Sequence, residues 1–252
     1  MTPGFQLYSA REHGPWSEVF ATLARLGYRH VEGYGALYDD VDAVVGAMAE
    51  HGLDMPSGHF AIAALEDEPE ATFETARRLG TTLLVCPHLA TEARPRDAAG
   101  WREFGRRLAR VGERAEAEGF GFAWHNHDFE LAPLADGTVP LEVLLEEASG
   151  IGWEADLAWI ARAGADPAEW ARRYGGRAVA VHVKDLAPEG ENADEDGWAD
   201  VGRGTLDWRA LIDAFGGGER HWIVEHDKPS DLERFAARSM DWLEANAGAK
   251  RG

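Results

Sequence analysis

The sequence predicts an α/β fold, a single (β/α)8 TIM barrel spanning residues 1–252 with its active site at the C-terminal ends of the strands. Short β-rich runs alternate with longer amphipathic runs along the whole chain, with no break in composition. Glycine closes the helix candidates just ahead of the next strand in "LARLGY", "MAEHGL" and "ARRLGT". A doubly wound open sheet would instead want a glycine-rich phosphate loop after an early strand. "GYGALYDD" is not GxGxxG, and the chain has no Walker-type loop.

The strand candidates, in order, are "GFQLYS" (4–9), "RHVEGY" (29–34), "LDMPSGHF" (53–60) and "TLLVCPH" (82–88). The second half adds "GFGFAWHNH" (119–127), "IGWEADLAW" (151–159), "AVAVHVKDL" (178–186) and "HWIVEHD" (221–227). Helix candidates fall between them near 16–27, 39–51, 67–80, 97–118, 139–149, 167–175, 207–215 and 230–246. The last opens on "SDLERF", where Ser230 with Glu233 reads as a capping box. The segment 186–206 is far longer than an ordinary strand-to-helix connection. It reads as a lid, with Trp198 as an apolar wall and "GRG" (202–204) as its hinge.

The composition is that of a globular protein, with 45% hydrophobic and 28% charged residues. Against 45 Asp plus Glu stand 25 Lys plus Arg, a net charge of −20 that argues against a nucleic-acid partner. The arginine-rich stretch 94–119 alternates its charges at helical spacing and reads as a solvated helix face. No run approaches the roughly 20 apolar residues of a membrane span. The first residues lack the basic-then-apolar pattern of a signal peptide, and Cys86 is the only cysteine. The expected location is the cytoplasm.

Successive strand residues point to opposite faces, so parity sorts the polar groups. His125 and His127 fall on one face with Gly121 and Ala123, opposite Phe122 and Trp124. Glu154 and Asp156 share a face, as do Ala180, His182 and Lys184, and Ile223, Glu225 and Asp227. Bulky apolar groups then pack under the helices while polar groups look inward. Charges inside a core are costly unless paired or metal-bound, and these stand at strand ends, where barrel enzymes build their sites. Strands five to eight thus bring His125, His127, Asp156, His182 and Glu225 to one mouth. Mixed imidazole and carboxylate donors suit a borderline divalent ion better than calcium. Glu32 and His59, ending the second and third strands, read as substrate contacts, and Lys184 as a holder of a substrate oxygen. His88 reads as a turn residue, and His30, His51, His221 and His226 as surface or packing residues.

The segments "QLYSAR", "LGYRHVEGYG", "WHNHDFE", "WEADLAWIARAGADP", "GRAVAVHVKDL", "DVGRGTLDW" and "WIVEHDKP", in this order over nearly the whole chain, resemble the sugar phosphate isomerase/epimerase superfamily, the xylose-isomerase-like TIM barrels. The resemblance implies one divalent metal ion (Mn favoured over Co, Zn, Fe or Mg) held by Asp156, His182, Glu225 and a residue of "HNH". His125 is preferred there, with His127 as its neighbour or a substrate contact. Many members carry a glutamate at this strand-five position, and this chain does not. The implied activity is isomerisation or epimerisation of a keto or hydroxy sugar or cyclitol through a metal-stabilised enediolate. Glu225 would be the base, with His127 or Lys184 as its partner. A lyase or dehydratase on the same site is the alternative. A non-catalytic sugar-binding barrel and an abasic-site endonuclease stand further off. Barrels of this family often pair, which adds a homo-oligomer to the expectations.

Overall fold

The computed structural model describes residues 3–247. Seven barrel strands come first: β1 (Pro3–Gln6), β2 (His30–Gly33), β3 (Asp54–His59), β4 (Leu83–Cys86), β5 (Gly121–His125), β6 (Gly152–Asp156) and β7 (Ala178–Val183). A two-residue hairpin, β8 (Asp185–Leu186) and β9 (Trp198–Ala199), follows, and β10 (His221–Val224) is the eighth barrel strand. The eight pair in parallel in chain order and β10 pairs with β1, so the barrel is closed. Outside it lie α1 (Trp16–Arg25), α2 (Val41–His51), α3 (Ile62–Asp67), α4 (Pro69–Leu79) and α5 (Ala98–Ala117). They are followed by α6 (Pro140–Glu147), α7 (Leu157–Arg162), α8 (Pro167–Tyr174), α9 (Trp208–Ala214) and α10 (Leu232–Ala247). No helix among the described residues is long and apolar enough to cross a membrane.

Parity sorted the side chains as expected. Ala123, Ala180 and Ile223 meet Leu83 and Val85 in a small apolar cluster inside the barrel. Trp124 turns outward to Phe104 of α5, ring centroids 5.4 Å apart, and Trp153, Val181, Val183 and Val224 join the outer core. The inner cluster closes the barrel below with small and branched residues, which leaves room above it for the polar groups. Gly52 and Gly80 end α2 and α4 in the left-handed region, at φ 65° and 76°, where glycine alone carries no Cβ penalty.

Four expectations needed correction. β6 stops at Asp156 instead of running to 159, because the Asp156 carboxylate accepts the Trp159 N–H at 2.9 Å and starts α7. β1 stops at Gln6, whose side-chain oxygen accepts the Tyr8 N–H at 3.0 Å and turns the chain. The α10 cap is Asp231, which accepts the Arg234 N–H at 2.9 Å, and not Ser230. In the segment 186–206 the tripeptide "GRG", expected as a hinge, is tied down. The Asp185 carboxylate accepts N–H bonds from Leu186, Gly202, Gly204 and Leu206, so "GRG" is its anchor. A Cβ on Gly204 would collide with that carboxylate and with the Leu186 carbonyl. Trp198 is 1% exposed and packs edge-on against Trp159.

Ser230 has a different task. Its N–H and hydroxyl both donate to Glu195 of the hairpin loop, which also takes Arg234 Nη2 at 2.7 Å. Burial disfavours ionisation of Glu195, but these bonds outweigh it and bring the carboxyl from 4.5 down to about 2. A depressed carboxyl stabilises the fold fully above its ordinary value and loses that contribution as pH falls through the folded one. Thermal denaturation of wild type should therefore lose part of its stability between pH 4.5 and about 2. Glu195→Gln should be less stable at pH 7 and show a flatter acid limb. Parallel limbs would contradict this assignment.

Candidate active site

The stretch "HNHDFE" at the end of β5 divides its labour residue by residue. His125 ends the strand facing inward, 2% exposed. Asn126 turns away and joins β5 to β6: its Oδ1 accepts from Trp153 Nε1 at 2.8 Å and Asp156 N at 3.0 Å, while its Nδ2 donates to the Asp156 carbonyl at 3.0 Å. His127, half-buried, lies on the wall above, its ring 5.3 Å from that of Trp159. Glu130 is buried and holds the turn by accepting Trp124 Nε1 at 3.0 Å and the His127 N–H at 2.9 Å. Burial drives the Glu130 carboxyl up to about 8. It is a scaffold residue.

On β6, Asp156 spends Oδ1 on the α7 cap and leaves Oδ2 buried without a hydrogen-bond partner. Its register partner on β7 is His182. Both His182 nitrogens meet carboxylates: Nδ1 lies 2.8 Å from Glu225 Oε2 and Nε2 lies 2.7 Å from Glu32 Oε1. His59, from β3, places Nε2 2.8 Å from Glu154 Oε2 and 3.2 Å from Glu32 Oε1. Lys184 is fully buried, its Nζ 2.8 Å from Asp227, 3.3 Å from Glu225 and 3.7 Å from Asp156. The rings of Trp198 and Trp159 lie 4.1 and 4.8 Å from that ammonium.

Above these groups opens a cavity of about 540 Å³. His59, His125, His127 and Glu225 reach it from the strand ends, and Tyr8, Tyr34, His88 and Trp159 wall it. Arg11, Asp196 and Asp227 are its remaining charged neighbours. Two of the expected substrate contacts are displaced. Glu32 and Lys184, each 0% exposed, lie beneath the cavity and do not line it, because both are drawn into ion pairs at the barrel floor. His88 stands on the wall, exposed, with Arg94 Nη2 3.1 Å from its ring nitrogen. His226 is a packing residue, edge-on to Phe235.

The charge states follow from these neighbours. Burial opposes ionisation of Glu225, but the cationic His182 and Lys184 outweigh it and hold the carboxyl well below its usual range. Burial also disfavours charge on His59, yet Glu32 and Glu154 lift it to about 9. Burial raises Asp156 to about 6 against the pull of Lys184. Burial and the charge of Glu32 raise Glu154 to about 7. Burial, with cationic neighbours, keeps His125 and His127 well below the ordinary histidine value and therefore neutral.

Two groups of donor atoms lie close enough together to share an ion: His125, Asp156, His182 and Glu225, and His59, His125, Glu154 and His182. The first is the set expected from the sequence. Its chemistry fits a divalent transition metal: imidazole and carboxylate donors, a buried Asp156 Oδ2 without a partner, and a buried His125 Nδ1 likewise unsatisfied. Parity places Glu154 with Asp156, and Asp227 with Glu225, but nothing in the sequence marks Glu154 or Asp227 as a site residue. Gln6, which donates to Glu32 Oε1 at 2.7 Å, carried no signal at all.

A closed parallel barrel with metal-type donors gathered at the C-terminal ends of four consecutive strands defines the class. The chain belongs to the xylose isomerase-like TIM barrel family, whose model matches residues 20–246. Among solved structures it is similar to a sugar phosphate isomerase/epimerase from Parabacteroides distasonis ATCC 8503, with TM-score 0.80 and 19% identity over 96% of this chain and 93% of that one. It is similar also to the probable 3-DHS dehydratase AsbF involved in petrobactin synthesis from Bacillus anthracis, with TM-score 0.75 and 12% identity over 97% and 99% of the two chains. The IOLI protein with a binding zinc atom matches with TM-score 0.73 and 17% identity over 98% and 96%. At such identities these likenesses establish the shared fold. No curated protein matches the chain.

Removing Lys184 would leave Asp156, Glu225 and Asp227 facing one another without their common counterion. Breaking a buried pair on one side costs about 3–5 kcal/mol. Lys184→Met should lose that much in urea denaturation of metal-free protein, and a loss below about 1 kcal/mol would show the ammonium to be dispensable.

Proposed function

We propose that this protein is a divalent-metal-dependent isomerase or epimerase acting on a keto or hydroxy sugar or cyclitol. The observation that carries the reading is the convergence of His125, Asp156, His182 and Glu225 beneath a cavity of about 540 Å³. These four residues would hold the ion. When bound, it supplies Lewis acidity that polarises a substrate carbonyl and acidifies the neighbouring C–H.

The chain's own residues supply the rest. Glu225 borders the cavity and is ionised, so it can take a proton from a substrate carbon. Lys184 fixes Glu225 and Asp227 from below and acts by orienting them. His127 is neutral on the opposite wall and can return or relay a proton. Tyr8, Tyr34 and Trp159 offer apolar faces to a sugar ring, while Asp227 and Asp196 accept its hydroxyls. Among the lining residues Arg11 is the one guanidinium, and its Nη1 is engaged by the Tyr8 and Asp227 carbonyls. This supports an unphosphorylated substrate.

A lyase is the second reading, and a specific observation favours it. The carboxylates Glu225 and Asp227 both come from the end of β10, so they serve one face of a bound substrate. The opposite face meets imidazoles. A one-sided base suits proton transfer on a single face, or elimination, better than inversion.

Purified protein should carry about one divalent transition metal per chain by elemental analysis, and His182→Ala and Glu225→Gln should lose it. Full occupancy in both variants would refute the ligand set. Turnover of keto sugars or inososes in D2O then separates the reactions. Deuterium beside the carbonyl with inverted configuration requires bases on two faces, retention indicates one, and an unsaturated product marks a lyase. Glu225→Gln should abolish exchange in every version, and surviving exchange would remove Glu225 as the base.

A further inference from the structure

Glu32 is completely buried beneath the cavity, yet it is bonded from two sides. The directions of those bonds can be read outward from a backbone amide. The Tyr8 N–H can only donate, and it donates to Gln6 Oε1 at 3.0 Å. That fixes the Gln6 amide so that its NH2 faces Glu32 Oε1, 2.7 Å away, where the carboxylate accepts. The same Oε1 lies 2.7 Å from His182 Nε2, so the imidazole nitrogen on this side is the N–H donor. With no ion bound, His182 faces a carboxylate on each ring nitrogen and carries a proton on both, and a metal ion can be ligated only by a nitrogen that gives its proton up. With Glu32 keeping the proton on Nε2, the nitrogen left to exchange its proton for an ion is Nδ1, which faces Glu225 Oε2 at 2.8 Å and Asp156 Oδ2 at 4.0 Å.

We propose that Gln6 and Glu32 form a positioning relay that fixes the Nε2–H tautomer of His182 and presents its Nδ1 as a metal ligand. This rests on the metal reading of the site. It also gives Glu32 a role that its burial allows, since it cannot touch a substrate above the floor. The relay links β1, β2 and β7, so it locks ring orientation across the barrel rather than within one strand. Partners of this kind typically account for 10–100-fold in metal affinity.

The test uses the full chain, stripped of metal with a chelator and titrated with zinc against a chromophoric competitor. Glu32→Ala should weaken zinc binding by about 10–100-fold. Glu32→Gln can keep an accepting oxygen at the Oε1 position and its amide nitrogen at the unpartnered Oε2 position, so it should recover most of that loss. Gln6→Leu should weaken binding in the same direction but less. Nitrogen-15 NMR of zinc-loaded wild type should show the His182 proton on Nε2, a readout that a merely structural role would not fix. Wild-type affinity in a folded Glu32→Ala, or the proton on Nδ1, overturns the relay while leaving the metal reading intact. Wild type that binds no zinc overturns both. If Glu32→Ala fails to fold, Glu32→Gln, Gln6→Leu and the tautomer still decide.

Discussion

The mouth of this barrel is governed by a balance of buried charge. Glu32, Glu154, Asp156 and Glu225 are all buried, with Asp227 close by, and the cations that face them are His59, His182 and Lys184. Isolated charges in such surroundings would each cost several kcal/mol. The arrangement is tolerable because each carboxylate is shared between cations and each cation between carboxylates. His182 is the clearest case, with a carboxylate on either ring nitrogen. Lys184 is the other, pinned among three acids and two indole rings. Much else follows from this packing of charge: small residues in the inner core beneath it, a neutral pair of histidines on one wall, and an ionised carboxylate on the other.

The same chemistry is used for scaffolding a few ångströms away. Asp156 is divided between the α7 N-terminus and the site, one oxygen for each. Asn126 sews β5 to β6 directly behind it, and Glu130 holds the turn that places His127. Asp185 anchors the β8–β9 hairpin by gathering backbone N–H groups onto one carboxylate, as Glu130 anchors the β5 turn through one backbone and one indole N–H. Trp198 thereby stays behind Trp159 and backs the cavity wall. Acidic residues in this chain are therefore poor indicators of catalysis when taken one at a time.

What was legible in the sequence is what depends on local periodicity. Alternation along β5, β6, β7 and β10 separated Trp124, Trp153 and Val224 from His125, Asp156 and His182, and the barrel order follows from the run of βα units. Endings were harder. A carboxylate such as Asp156 can terminate a strand by capping the next helix, and Asp231 competed with Ser230 for the α10 cap one position away. Contacts across the barrel were not legible. Glu32 and His182 are 150 residues apart, and Gln6 and Glu32 are 26 apart, so nothing in spacing announces that they bond. Glu32 consequently read as a substrate contact. Lys184 reads the same way, because in the sequence Asp227, its nearest acid, stands only beside Glu225.

The account stands or falls on where an ion sits. Anomalous diffraction from crystals of the full chain grown with zinc or manganese locates it without reference to turnover. A single strong peak is predicted among His125, Asp156, His182 and Glu225, with Glu32 outside the coordination shell. A peak centred instead on His59 and Glu154, or no peak in the barrel mouth, would contradict it.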